Sequence, residues 1–204
     1  MHPNQFFRKA TREQNINFAR ERAFGTLAVN ADDGPLLSHI PFQLSEDESH
    51  VELHLVRSNP ILRLLNEPVE AVISVTGGDA YISPDWYGVS DQVPTWNYVA
   101  VHLRGTLHKL EAGKLHGVLE RLSANMENRL LPKKPWTSDK MDQQVYDKMR
   151  KQIVPVQLDV SSIEGTWKLS QNKPDAVRLA AADGVEDHGI GVETGTIAAL
   201  MRRP

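Results

Sequence analysis

The sequence predicts a mainly β fold with peripheral helices, on three observations. Between Phe24 and Leu110, short runs alternate apolar with polar residues, the period of half-buried strands. Turn formers separate these runs at hairpin distances. No strand–helix–strand series recurs, which argues against a Rossmann-type sheet. One helix, about six strands, a helical pair, a strand and a last helix suit a small antiparallel barrel.

The first helix follows Thr11-Arg12-Glu13-Gln14, which has capping-box spacing, with Ile16, Ala19 and Ala23 on one face. Phe24 to Asn30 is β-like, and Asp33-Gly34 signals a hairpin. Leu36 to Leu44 is the next strand, where Pro41 suggests an edge or a bulge. Val51, Leu53 and Leu55 alternate with Glu52 and His54. A short helix is expected over Asn59 to Asn66, then a strand over Val69 to Val75 that Gly77-Gly78 breaks, then an extended piece from Ala80 to Ser83. Pro84 to Pro94 reads as an ordered loop. Trp96 to Leu110 is the cleanest strand, with Val99, Val101, Leu103 and Leu107 on one side and Ala100, His102, Arg104 and His108 on the other. Gly105 marks a bulge or a close backbone approach.

Leu115, Val118, Leu119, Leu122 and Met126 form an amphipathic stripe, and Met141, Val145 and Met149 recur at four-residue spacing. These two helices make a helical segment at about 114–153. Gln152 to Val160 returns to strand, Gly165 to Leu169 is extended, and a last helix covers about 174–182, with Pro174 suited to its first turn. The tail from Asp183 is rich in glycine and is assigned no role. The whole of 1–204 is read as a single domain.

Hydrophobic residues make up 40% and charged residues 24% of the 204, a globular balance that argues against disorder. With no cysteine, disulfides, thiolate metal sites and cysteine nucleophiles are excluded. The N-terminal segment lacks a signal-peptide core, and no apolar run is long enough to span a bilayer, so a cytoplasmic protein without membrane contact is expected. The net charge is −3. Phosphate-gripping DNA binders carry a concentrated basic face. Here the basic residues Lys133-Lys134, Lys148, Arg150 and Lys151 read better as a solvated helix face.

Arg57-Ser58-Asn59-Pro60 stands where a strand gives way to a helix. Free N–H groups and a neighbouring arginine there suit an anion. On the tetrapeptide alone, an ordinary helix cap with a surface arginine is the better account. Tyr81, Trp86, Tyr87, Trp96 and Tyr98 cluster around a loop. They suit a flat heteroaromatic ligand, with Asn97 able to donate to and accept from an imide edge. They suit equally a folded-down loop or a dimer contact. His39, His54, His102 and His108 lie on polar strand faces, but the tight spacings of a zinc site are missing and no metal is expected. No nucleophile motif, Walker loop or dinucleotide fingerprint occurs, so no catalytic residue is assigned.

Five segments in order resemble the PaiB family of FMN-binding negative transcriptional regulators. They are His39-Ile40-Pro41-Phe42, Arg57-Ser58-Asn59-Pro60, Tyr81-Ile82-Ser83-Pro84-Asp85-Trp86-Tyr87, Val93-Pro94-Thr95-Trp96-Asn97-Tyr98 and Lys168-Leu169-Ser170-Gln171-Asn172-Lys173. The resemblance implies a flavin split barrel related to pyridoxamine-phosphate oxidases, with FMN held at a homodimer interface. It implies the flavin phosphate at Arg57, Ser58 and Asn59. It places Trp96, Asn97, His39 and Ile40 by the ring, with Lys168, Ser170 and Gln171 as further contacts. DNA enters as a partner only through the family's regulatory label; the acidic charge and the lack of a helix-turn-helix signal count against direct binding. An FMN-dependent oxidoreductase on the same scaffold and a cofactor-free interaction protein are the alternatives.

Overall fold

A computed structural model describes residues 1–204. Seven strands form one sheet: β1 (Phe24–Val29), β2 (Leu36–Leu44), β3 (His50–Val56), β4 (Val69–Ile82), β5 (Thr95–Lys109), β6 (Ile153–Lys168) and β7 (Gly191–Val192). Their order is β1-β2-β3-β6-β5-β4-β7, and β1 also pairs with β4, so the first six close into a ring of pairings. The helices are α1 (Arg12–Arg22), the single turn α2 (Ile61–Leu64), α3 (Leu115–Glu127), α4 (Gln143–Arg150), α5 (Asp175–His188) and α6 (Thr194–Arg202).

The chain divides into two compact units. One comprises 16–75 and 103–163, the other 1–15, 76–102 and 164–204. Strands β4, β5 and β6 contribute residues to both.

The larger unit carries the ring's core. Leu27, Phe42, Leu53, Ile73, Leu103, Leu107 and Leu158 are all fully buried. They come from alternate strand positions, as the two-residue period requires. Pro41 is at no bulge, but it pairs with Phe24 of β1 only, so its other side is an unpaired edge as expected. β2 pairs with β1 through Leu36 to Pro41 and with β3 through Phe42 to Leu44. The proline therefore stands where the strand changes partner, a point at which its missing N–H costs little. Gly105 marks a close approach: a Cβ there would lie 1.8 Å from the Asp159 carbonyl oxygen of β6.

In α3, Leu115 and Val118 are buried as expected. In α4, the Met141–Val145–Met149 stripe does not form a core face. Val145 and Met149 are exposed, and Tyr146 is the buried residue. A short periodic stripe indicates a helix but not which side meets the protein.

The smaller unit is built on β7, α5, α6 and the remaining parts of the long strands. Gly77-Gly78 does not interrupt β4, because the strand continues alongside β7, with Asp79 opposite Val192 and Ala80 opposite Gly191. The tail beyond Asp183 is ordered: α5 runs through His188, Gly189 ends it in the left-handed conformation, and α6 follows. Ala181, Ala182, Val185, Ile197, Ala198 and Met201 form the buried contact of these two helices. Arg178 is also buried and donates to Asp175 and to the Met201 carbonyl.

Candidate functional site

In the smaller unit, a cavity of about 210 Å³ is lined by Phe7, Tyr87, Gln92, Thr95, Asn97, Lys168, Ser170 and Lys173, among others. Its floor is set by strand alternation. Asn97 points inward from β5 and is fully buried. Its Nδ2 donates to Ser170 Oγ at 2.9 Å, and Ser170 Oγ also bonds the Tyr87 hydroxyl at 3.1 Å. Ser170 is buried and adopts a left-handed backbone, φ 59. A non-glycine residue there stores strain, and such strain clusters at ligand sites. Asn97 Oδ1 is buried with no hydrogen-bond partner. An orphaned buried acceptor is costly unless a ligand donor meets it.

Two cations line the same cavity. Lys168 donates to Thr95 Oγ1 and sits over the Phe7 ring, 5.9 Å from its centroid. Partial burial pushes the Lys168 ammonium below the usual lysine range. Lys173 donates to Gln92 Oε1 and sits over Tyr87, 5.4 Å from that centroid.

Asn97, Lys168 and Ser170 therefore converge on one cavity. Gln171 does not line it. Its amide instead accepts from Leu169 N and donates to the Trp167 carbonyl and to the Phe6 carbonyl. Trp96 follows the alternation of β5 onto the opposite face from Asn97. It is 47% exposed and meets Tyr81 edge-on, with ring centroids 6.0 Å apart. Phe7 and Gln92 join the cavity without a sequence signal of their own. Tyr87, from the aromatic cluster, and Lys173, the last residue of the 168–173 motif, line it too.

The remaining expected residues lie in the larger unit. His39 is exposed and shares a 3.0 Å hydrogen bond with Thr26 Oγ1, while Ile40, one residue on, faces the core. Asn59 donates to Ser38 Oγ at 3.0 Å and accepts from Ile61 N, the first amide of α2, at 3.0 Å. Ser58 is exposed. Arg57 Nε donates to the Lys151 carbonyl at 2.9 Å and Nη2 to the Ile153 carbonyl at 3.4 Å, so the arginine caps the end of α4. No group of three His, Cys, Asp or Glu side chains gathers as a metal site, and no helix is long and apolar enough to cross a membrane.

This ring of six strands with a flanking helical pair is the fold of the flavin-binding split barrels. An FAD- and heme-binding protein from Mycobacterium smegmatis superposes with a TM-score of 0.60 at 18% identity, covering 91% of this chain and 82% of that one. The flavocytochrome Anf3 from Azotobacter vinelandii gives 0.56 at 12% identity, covering 82% and 72%. Residues 1–162 match the family described as "Putative FMN-binding domain". The protein called protease synthase and sporulation protein PAI 2, from Bacillus subtilis, is 31% identical over 179 residues, 85% of this chain and 83% of that one. The chain belongs to this FMN-binding family, and FMN is the cofactor the family assigns to it.

The cavity residues fit that cofactor. The pyrimidine edge of a flavin presents an N–H donor between two carbonyl acceptors. Asn97 Oδ1 would meet the N–H, and Lys168 and Lys173, which line the same cavity, would face the carbonyls.

Proposed function

We propose that this protein is an FMN-binding homodimer of the cytoplasm that acts as a PaiB-type regulator, and that Asn97, Lys168 and Ser170 hold the polar edge of the flavin ring. The carrying observation is the buried, unpartnered Asn97 Oδ1 in a cavity that also holds two ammonium groups. FMN supplies redox chemistry when bound. The chain's own groups accept the ring N–H, place positive charge at its carbonyls and keep Ser170 locked between Asn97 and Tyr87. The dimer reading rests on the family resemblance and is supported by the exposed apolar side chains of Val93 and Trp96 in the smaller unit. The regulatory reading rests on the family resemblance.

A second reading, an FMN-dependent oxidoreductase, is favoured by the same two lysines. Positive charge beside a flavin's carbonyl edge favours the ring when it carries extra negative charge.

Purified protein incubated with FMN and then freed of unbound flavin by gel filtration is expected to carry the flavin visible spectrum and to elute as a dimer. A protein fraction that elutes without flavin colour after incubation with excess FMN would sink both readings, and a monomer at every concentration would remove the dimer. Reduction of bound FMN by a nicotinamide nucleotide would favour the oxidoreductase. DNA affinity that falls steeply with salt would favour direct regulation.

A further inference from the structure

The larger unit holds a second cavity, of about 330 Å³, which shares no lining residue with the cavity around Asn97 and includes Arg57, where the resemblance puts the flavin phosphate. It lies where the end of α4 meets the start of β6. Its walls are Leu110, Leu115, Ile153, Val154 and Pro155, with Ala112 contributing from an exposed turn. Arg57, Arg150 and Lys151 also line it, against a single carboxylate, Asp147. A volume of roughly 300–1,000 Å³ is usual for a small-molecule site.

The charges are arranged for an anion. Asp147 is already matched, lying 3.5 Å from Arg150 Nη1 and accepting from Gln143 Nε2 at 3.1 Å. Arg57 answers the Lys151 carbonyl at the end of α4, which offsets the negative end of the helix dipole that would otherwise repel an anion. Arg150 lies over the Tyr146 ring, 5.4 Å from its centroid, and its Nε is buried without a hydrogen-bond partner. A buried guanidinium N–H without an acceptor beside an apolar cavity calls for one from a ligand.

We infer that this cavity binds a small organic monocarboxylate, whose carboxylate meets Arg150 and Lys151 while its hydrocarbon body packs on Leu110, Leu115, Ile153 and Pro155. An inorganic anion would leave the apolar wall uncovered. An uncharged hydrocarbon would leave the Arg150 Nε unmet. The site shares no lining residue with the cavity around Asn97.

Octanoate serves as the probe, by isothermal titration calorimetry on the full chain with and without saturating FMN. The expected result is one octanoate per chain in both states, with inorganic phosphate at least about tenfold weaker. Arg150→Gln is expected to weaken octanoate about tenfold, as the loss of one charge-assisted contact does. Ala112→Phe changes no charge, acts from an exposed turn and is expected to block the cavity to a similar extent. FMN uptake and far-ultraviolet circular dichroism check that both variants are folded. Absence of octanoate binding would overturn the inference, as would affinity unchanged in both variants or phosphate binding equal to octanoate. Displacement of octanoate by FMN would also overturn it, by making this cavity part of the flavin's own site.

Discussion

Asn97 Nδ2 donates to Ser170 Oγ at 2.9 Å, while Asn97 Oδ1 lies buried beside it with no partner. One end of the amide is fixed by the protein and the other has no protein partner. Asn97→Ala is expected to weaken FMN binding by about 1–3 kcal/mol, the cost of a lost buried hydrogen bond. Ser170 keeps its bond to Tyr87, so the fold should survive. Quenching of FMN fluorescence on titration measures the affinity; an unchanged value would show that the flavin edge lies elsewhere.

Close strand contact at Gly105 makes a stability prediction. A Cβ would fall 1.8 Å from the Asp159 oxygen, a backbone atom that cannot rotate away. Gly105→Ala is expected to destabilise the protein by about 2–3 kcal/mol through forced displacement of β6. Urea denaturation checks this, and a midpoint equal to that of the unmodified protein would contradict the packing.

Glu52 and Arg121 form a two-pronged ion pair, with Nε to Oε2 at 2.6 Å and Nη2 to Oε1 at 2.7 Å. Glu52 is nearly buried, whereas the Arg121 side chain is 54% exposed. Solvent therefore screens the arginine, and the full cost of breaking a buried pair does not apply. Arg121→Ala is expected to cost about 1–2 kcal/mol in urea, mainly from the carboxylate left without its partner. Glu52→Gln should cost less, because a neutral amide tolerates the same position better.

Burial holds the His54 imidazole below its ordinary value of 6.5, and its Nδ1 has no hydrogen-bond partner. The unfolded chain then takes up a proton at a higher pH than the folded one. Stability from this residue is present above 6.5 and is lost as the pH falls from there toward the depressed folded value. His54→Phe should flatten that slope. Urea midpoints at about pH 8 and about pH 5 for both proteins check it; identical slopes would exclude His54 as the source.

Local pattern was enough to read much of the protein from its sequence. The two-residue period of Val99, Val101 and Leu103 marked β5 and its buried face. Thr11 was legible as the α1 cap, and the structure shows its Oγ1 accepting from Gln14 N at 3.0 Å. Five ordered motifs pointed to the FMN-binding family. These features depend on neighbours along the chain, whose spacing is written in the sequence. Tertiary structure alone decided which distant groups meet. It set Lys168 beside Thr95 and Phe7, and Lys173 beside Gln92 and Tyr87. It tied Arg57 to the carbonyls that end α4 and put Tyr146, not Val145 and Met149, against the core. Side-chain period tells which residues share a face. Only the packed chain decides what that face meets, because burial and hydrogen-bond satisfaction are settled across long sequence separations.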